Sequence, residues 1–158
     1  MLATDEIILQ ILMDAKSEGN DLLQHFKINY PSNRVAEESN SIFIASVDSE
    51  AHTVALDGQS FVDRVEVLIV TKNREYQKAI DIIKTVSREV ISLVMNSKDK
   101  FPNKPIVERV TPEYNNDFVL TRGHIMFQVN TGMDDFDAEA EKLRICQILT
   151  EDMDVIEE

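Results

Sequence analysis

The chain has 158 residues, of which 29 are acidic and 16 basic, giving a formal charge of −13. Such a balance repels nucleic-acid phosphates and anionic membrane surfaces within a Debye length. It disfavours sequence-independent DNA binding through clustered Lys and Arg and still allows an acidic wall past which DNA slides. An apolar fraction of 43% and a charged fraction of 28% are ordinary for a globular chain with one core.

The single cysteine, Cys146, cannot form an internal disulfide, so nothing asks for an oxidising compartment. The opening "MLATDEIILQILMDAK" is interrupted by Gln10 and Asp14 and begins with acids rather than a basic leader region. No apolar run is long enough to span a bilayer, and the expected address is the cytoplasm.

In chain order, Thr4 followed by Asp5 and Glu6 predicts a helix start, and Ile8, Ile11, Leu12 and Ala15 share one face until Gly19-Asn20. "HFKINY" (25–30) reads as a strand ended by Pro31 and the turn "PSNR". "SIFIASV" (41–47) and "HTVAL" (52–56) read as two strands joined by a hairpin connection at "DSEA". Asp57-Gly58 predicts a second tight turn, and "SFVDRVEVLIVT" the longest strand, with Val65, Val67 and Ile69 on one face and Arg64, Glu66 and Leu68 on the other. The short connections predict an antiparallel meander.

Beyond the corner Lys72-Asn73-Arg74-Glu75, the residues Tyr76, Ala79, Ile80, Ile83, Val86, Val90, Leu93 and Val94 repeat at steps of three and four. They predict an amphipathic helix of about six turns packed on a sheet. "SKDKFPNKP" is a basic, exposed loop. Two strands follow, at Ile106 to Thr111 and Phe118 to Asn130, with Gly123 marking a bulge or bend. Residues 134–158 hold ten acids and two bases, a net −8, and form an acidic segment apart from the core at 1–133. Within it "KLRICQILTEDMDV" fits neither period cleanly: an added strand and a short helix are both open, and the strand is the preferred reading. The whole is an α+β fold: a largely antiparallel sheet, one long amphipathic helix upon it and a short N-terminal helix.

Chemistry is sparse. "TKNRE" has no glycine to let backbone amides approach a phosphate, so Lys72 and Arg74 read as solvated turn residues. His25, His52 and His124 stand in separate elements without metal-ligand spacing, and a structural or partner-contact role is the plainer reading. Cys146, between isoleucines in an acidic tail, reads as a core or interface residue rather than a nucleophile. "MDDFDAEAE" lacks the registered glycine and terminal glutamate of a calcium loop and reads as an acidic linker or interaction surface. No catalytic, cofactor or metal residue is assigned, and an enzyme using dispersed carboxylates is the least supported class.

The order of elements, centred on "RVEVLIVTKNREYQKAIDIIKTVSREVISLV", resembles the tail-terminator and tail-completion proteins of long-tailed phages and the related head-tail joining proteins, over roughly Asp5 to Thr131. The resemblance implies a structural subunit without catalytic activity, assembled into a homo-oligomeric ring, commonly a hexamer. Such a ring caps the tail tube and meets the head connector, cytoplasmic during assembly and then in the virion. It rests on pattern and size, and the acidic tail departs from it. Contact candidates are Phe101 and Tyr114, as loop aromatics, and Arg74 and Lys104, as bases able to meet an acidic neighbour. The alternative is a ligand-binding or regulatory α+β domain with a pocket on the sheet face opposite the long helix.

Overall fold

A computed structural model describes residues 3–31, 40–54, 58–115, 120–132 and 138–157. Helix α1 (Thr4–Ser17) opens the chain and buries Ile7, Ile8, Ile11 and Leu12. Its N-cap is Ala3 rather than Thr4, and Glu6 reaches back to accept the Ala3 N–H at 3.3 Å. Thr4 instead donates its hydroxyl to Asp63 on the sheet at 3.2 Å. Gly19, at φ +92, gives the left-handed residue that ends the helix. Asn20 then accepts the N–H groups of Leu22 and Leu23, nucleating a 3-10 turn at Leu23–His25.

Five strands make one sheet: β1 (Lys27–Asn29), β2 (Ser41–Val54), β3 (Gly58–Lys72), β4 (Ile106–Asn115) and β5 (Leu120–Gly132), in the order β1-β2-β3-β5-β4. The fold is α+β, with every pairing antiparallel except β1 to β2. Three expectations are corrected here. "HFKINY" supplies only three strand residues, because His25 belongs to the 3-10 turn, and it pairs parallel to β2 rather than in the meander. "DSEA" is no hairpin: 41–54 is one strand whose irregularity is a register shift between Ser46 and Asp48. A bulge accommodates the extra residue and re-aims the chain without ending the ladder.

Gly123 is not a bulge either. It sits in regular pairing between Ile69 and Pro112, while the β4 irregularity falls at Val107/Arg109. A Cβ at Gly123 would lie 2.5 Å from Ile83 Cγ2, so the glycine is there to let helix α2 (Tyr76–Asn96) approach the sheet.

On that face, alternation along β3 aims Val65, Val67 and Ile69 at the helices, each at most 1% exposed. Ile42 and Ile44 of β2 and Ile125, Phe127 and Val129 of β5 join them, and Ile83, Val86, Val90 and Val94 of α2 close the core from above. Burial of each such side chain stabilises by about 1.5–3 kcal/mol. The opposite face holds a smaller cluster of Phe43, Val70 and Leu120, packed by Leu68.

In the C-terminal segment the preferred reading, an added strand, is corrected and the helical alternative holds. Ala138–Glu157 is a helix, α3, of 20 residues. Its straight-chain residues (Glu, Lys, Leu, Arg, Gln) favour helix, and local propensity decides. Cys146 within it is exposed, so the core alternative for this residue falls. The residues of "MDDFDAEAE" before Ala138, and the turn at Asp57, lie outside the described residues.

Candidate functional site

The corner between β3 and α2 is built from its own short bonds. Asn73 Oδ1 accepts the Glu75 N–H at 2.9 Å, the Glu75 carbonyl accepts the Ala79 N–H at 2.9 Å, and the Glu75 carboxylate meets Lys78 Nζ at 3.2 Å. Lys72 and Arg74 stand exposed beside it. Asn73 thus closes the turn, and no glycine offers the backbone concavity of a phosphate loop.

The four contact candidates do not converge. Arg74 and the backbone of Tyr114 lie at one end of the sheet, since Tyr114 pairs with Thr121 and Thr121 with Thr71. Phe101 and Lys104 lie beyond the far end of α2, where Asn103 donates to the Asn130 carbonyl at 2.6 Å. Phe101 corrects the expectation of an exposed loop aromatic: it is 6% exposed and belongs to the main core. A phenyl ring just past a helix end buries readily under the last turn, and the polar residues around it in sequence do not reveal this. Tyr114 is a strand residue rather than a loop residue, and its side chain lies outside those described. Lys104 is exposed.

The sheet face away from the helices carries two ionic groups that no sequence spacing announces. Arg64 contacts Asp48 at 3.0 Å, Glu50 at 3.1 Å and Glu108 at 3.4 Å. Hydrogen bonds to Asp48, then Glu50, hold its guanidinium above the ordinary arginine value. His124 Nδ1 lies 3.2 Å from Glu66 and its Nε2 2.9 Å from Glu113. The two carboxylates flank the ring from opposite nitrogens, an arrangement that clasps the imidazole across three strands and does not point both acids at one ion. The only hint in the sequence is the polar alternation of Arg64 with Glu66 and of Asp48 with Glu50; strand register does the rest. Of the other histidines, His25 is exposed in the 3-10 turn and His52 pairs with Ser60. The chain positions of the three remain separate.

The face opposite α2, where a ligand pocket was considered, therefore presents ion pairs. A groove of about 370 Å³ opens on the helix side, lined by Leu22, Phe26, Ile82 and Val86 together with His25, Asn40, Asp81 and Thr85. It lies between the 3-10 turn and α2 and offers mostly carbon. No helix among the described residues is long and apolar enough to cross a membrane.

No protein-family model and no curated protein matches the chain. Among solved structures it is similar to a chain from the virion of a native gene transfer agent particle, with a TM-score of 0.58 and 10% identity. The likeness covers 82% of this chain and 95% of that one, so nearly the whole of the other fold has its counterpart here.

Proposed function

We propose that this protein is a structural subunit of a phage-like particle. It works as a homo-oligomeric ring that terminates the tail tube and joins it to the head connector. The observation that carries the reading is the fold likeness to a chain of a gene transfer agent virion over 95% of that chain. The element order that resembles tail-terminator proteins supports the finer assignment.

Physical features agree with a subunit made for contact. Among the described residues no strand pairs with the outer edge of β4, and its backbone groups form a template for pairing. Its bulge, Pro112 and the charges of Glu108, Arg109 and Glu113 discourage unlimited pairing, while Ile106 (52% exposed) and Val110 (42%) leave apolar surface for a defined neighbour. Heterologous contacts that close into a ring cover such an edge. An acidic chain also suits a channel that passes DNA without retaining it. In this reading 1–133 is the ring-forming core, 134–158 is a separate acidic segment, and the chain has no catalytic role.

Light scattering of the purified chain over a wide concentration range, followed by incubation with purified tail tubes, tests it. A discrete ring-sized species that caps tube ends is the expected result. A chain that stays monomeric and leaves tubes uncapped overturns it.

A further inference from the structure

We infer that His124 is a proton-dependent clasp on the edge of the sheet: its ring ties β3 to β4 while both nitrogens carry protons, and it lets go of Glu113 when it loses one.

The donors do not balance in a neutral ring. Nδ1 lies 3.2 Å from Glu66 Oε1 and Nε2 lies 2.9 Å from Glu113 Oε2, so each nitrogen is within hydrogen-bond distance of a carboxylate oxygen. An ionised carboxylate only accepts, and a neutral imidazole has one N–H and one bare lone pair. A neutral ring therefore satisfies one contact and turns a lone pair toward the other carboxylate. The imidazolium donates to both. Histidine is the side chain whose ordinary charge change falls between about pH 5 and 8, so the number of donors here changes in ordinary solution.

Burial decides which contact goes. The Glu66 side chain, on an inner strand, is 27% exposed, whereas that of Glu113, on the edge strand, is 56% exposed. Water replaces a lost donor readily at Glu113 and less readily at Glu66, where an unmet acceptor costs more. The remaining ring proton thus stays on Nδ1, toward Glu66. The contact given up is the one that ties β5 to β4.

The charges around the ring leave this step to His124. Directly across from it the register places Leu68 on β3 and Thr111 on β4, and across from Glu66 it places Ala45 on β2. Arg64, two residues from Glu66 on the same face, is engaged by Asp48, Glu50 and Glu108. Arg122 stands two residues from His124 and opposite Glu113, and Arg109 stands opposite Met126. Arginine keeps its charge at every pH of interest, so these cations add a constant field and no step. Helices α1 and α2 pack on the other face. Raising the pH through the ring's own titration therefore frees the Glu113 end of β4, and lowering it fixes that end. The pairing edge is held most firmly on the acid side.

The test uses the full chain carrying nitrogen-15 in its histidines, with His124 assigned by the loss of its signals in His124→Gln. Ring nitrogen shifts, followed from about pH 5 to 8, give charge and tautomer directly. The expected result is an imidazolium on the acid side and the Nδ1–H tautomer on the alkaline side. Across the same transition, amide protection of β4 from Thr111 to Asn115, corrected for the intrinsic effect of pH, should fall roughly two- to fivefold, the worth of one part-exposed charged pair. The step should vanish in His124→Gln, whose side chain does not titrate, and in Glu113→Ala, whose exposed side chain can be removed without disturbing the core. Unchanged protection of β3 shows in each case that the fold is intact. A ring that is neutral throughout, one that turns neutral as the Nε2–H tautomer, or a β4 step that persists in either folded variant overturns the inference.

Discussion

Helices α2 and α3 are almost the same length, 21 and 20 residues, yet one closes the core and the other exposes every described side chain. Helix α2 repeats its apolar residues at steps of three and four over six turns, and a sheet with a matching apolar face receives them. In α3 the apolar residues Leu143, Ile145, Ile148 and Leu149 spread around more of the circumference among acids. The difference teaches that helix formation and helix burial are separate decisions: propensity suffices for the first, whereas the second needs a continuous stripe and a partner surface.

The largest effect expected from breaking this contrast is at the α2 seat. Phe127→Ala, beneath the helix at 0% exposed, should cost about 3–5 kcal/mol in urea unfolding. Gly123→Ala follows, at about 1–3 kcal/mol, because the new methyl collides with Ile83 Cγ2. Combining it with Ile83→Ala should cost less than the sum of the two single changes, since the second opens the space the first needs. Strict additivity in that double-mutant cycle would deny the close approach.

A smaller loss, about 1–2 kcal/mol, is expected for Asp63→Ala. Its carboxylate accepts from the hydroxyls of Thr4, Ser49 and Thr131, tying the start of α1 to three strands. Hydrogen exchange should show α1 opening more readily than α2 in this variant. Arg64→Ala, on the exposed sheet face, should barely move the urea midpoint, because water and salt screen its three ion pairs. At the other limit, Ile145→Ser with Leu149→Ser should leave monomer stability within ~0.5 kcal/mol. A large loss there would show that α3 is held by its own chain and so erase the contrast with α2.

Much of the core was legible from period alone. The stripe from Ala79 to Val94 and the alternation at Val65, Val67 and Ile69 led directly to the buried residues, because both patterns are local and unbroken. Where polar residues interrupt a strand, as at "DSEA", composition signals a turn, but cross-strand partners keep the ladder going and a bulge absorbs the misfit. Phe101 and Gly123 misled for a related reason: each is explained by what lies above or below it, which spacing along the chain does not encode. The ionic groups around Arg64 and His124 join residues 11 to 58 positions apart, and only strand order and register bring them within bonding distance.

The sequence by itself determined the α+β class, the extent of α2, the inward residues of β3 and the acidic character of the C-terminal segment, all consequences of local periodicity and composition. Only the tertiary structure decided the parallel docking of β1, the insertion of β5 between β3 and β4, and the close approach at Gly123. The physical reason is common to these: each depends on whether a distant surface is present to accept hydrogen bonds or cover carbon, and that surface exists only once the chain has folded.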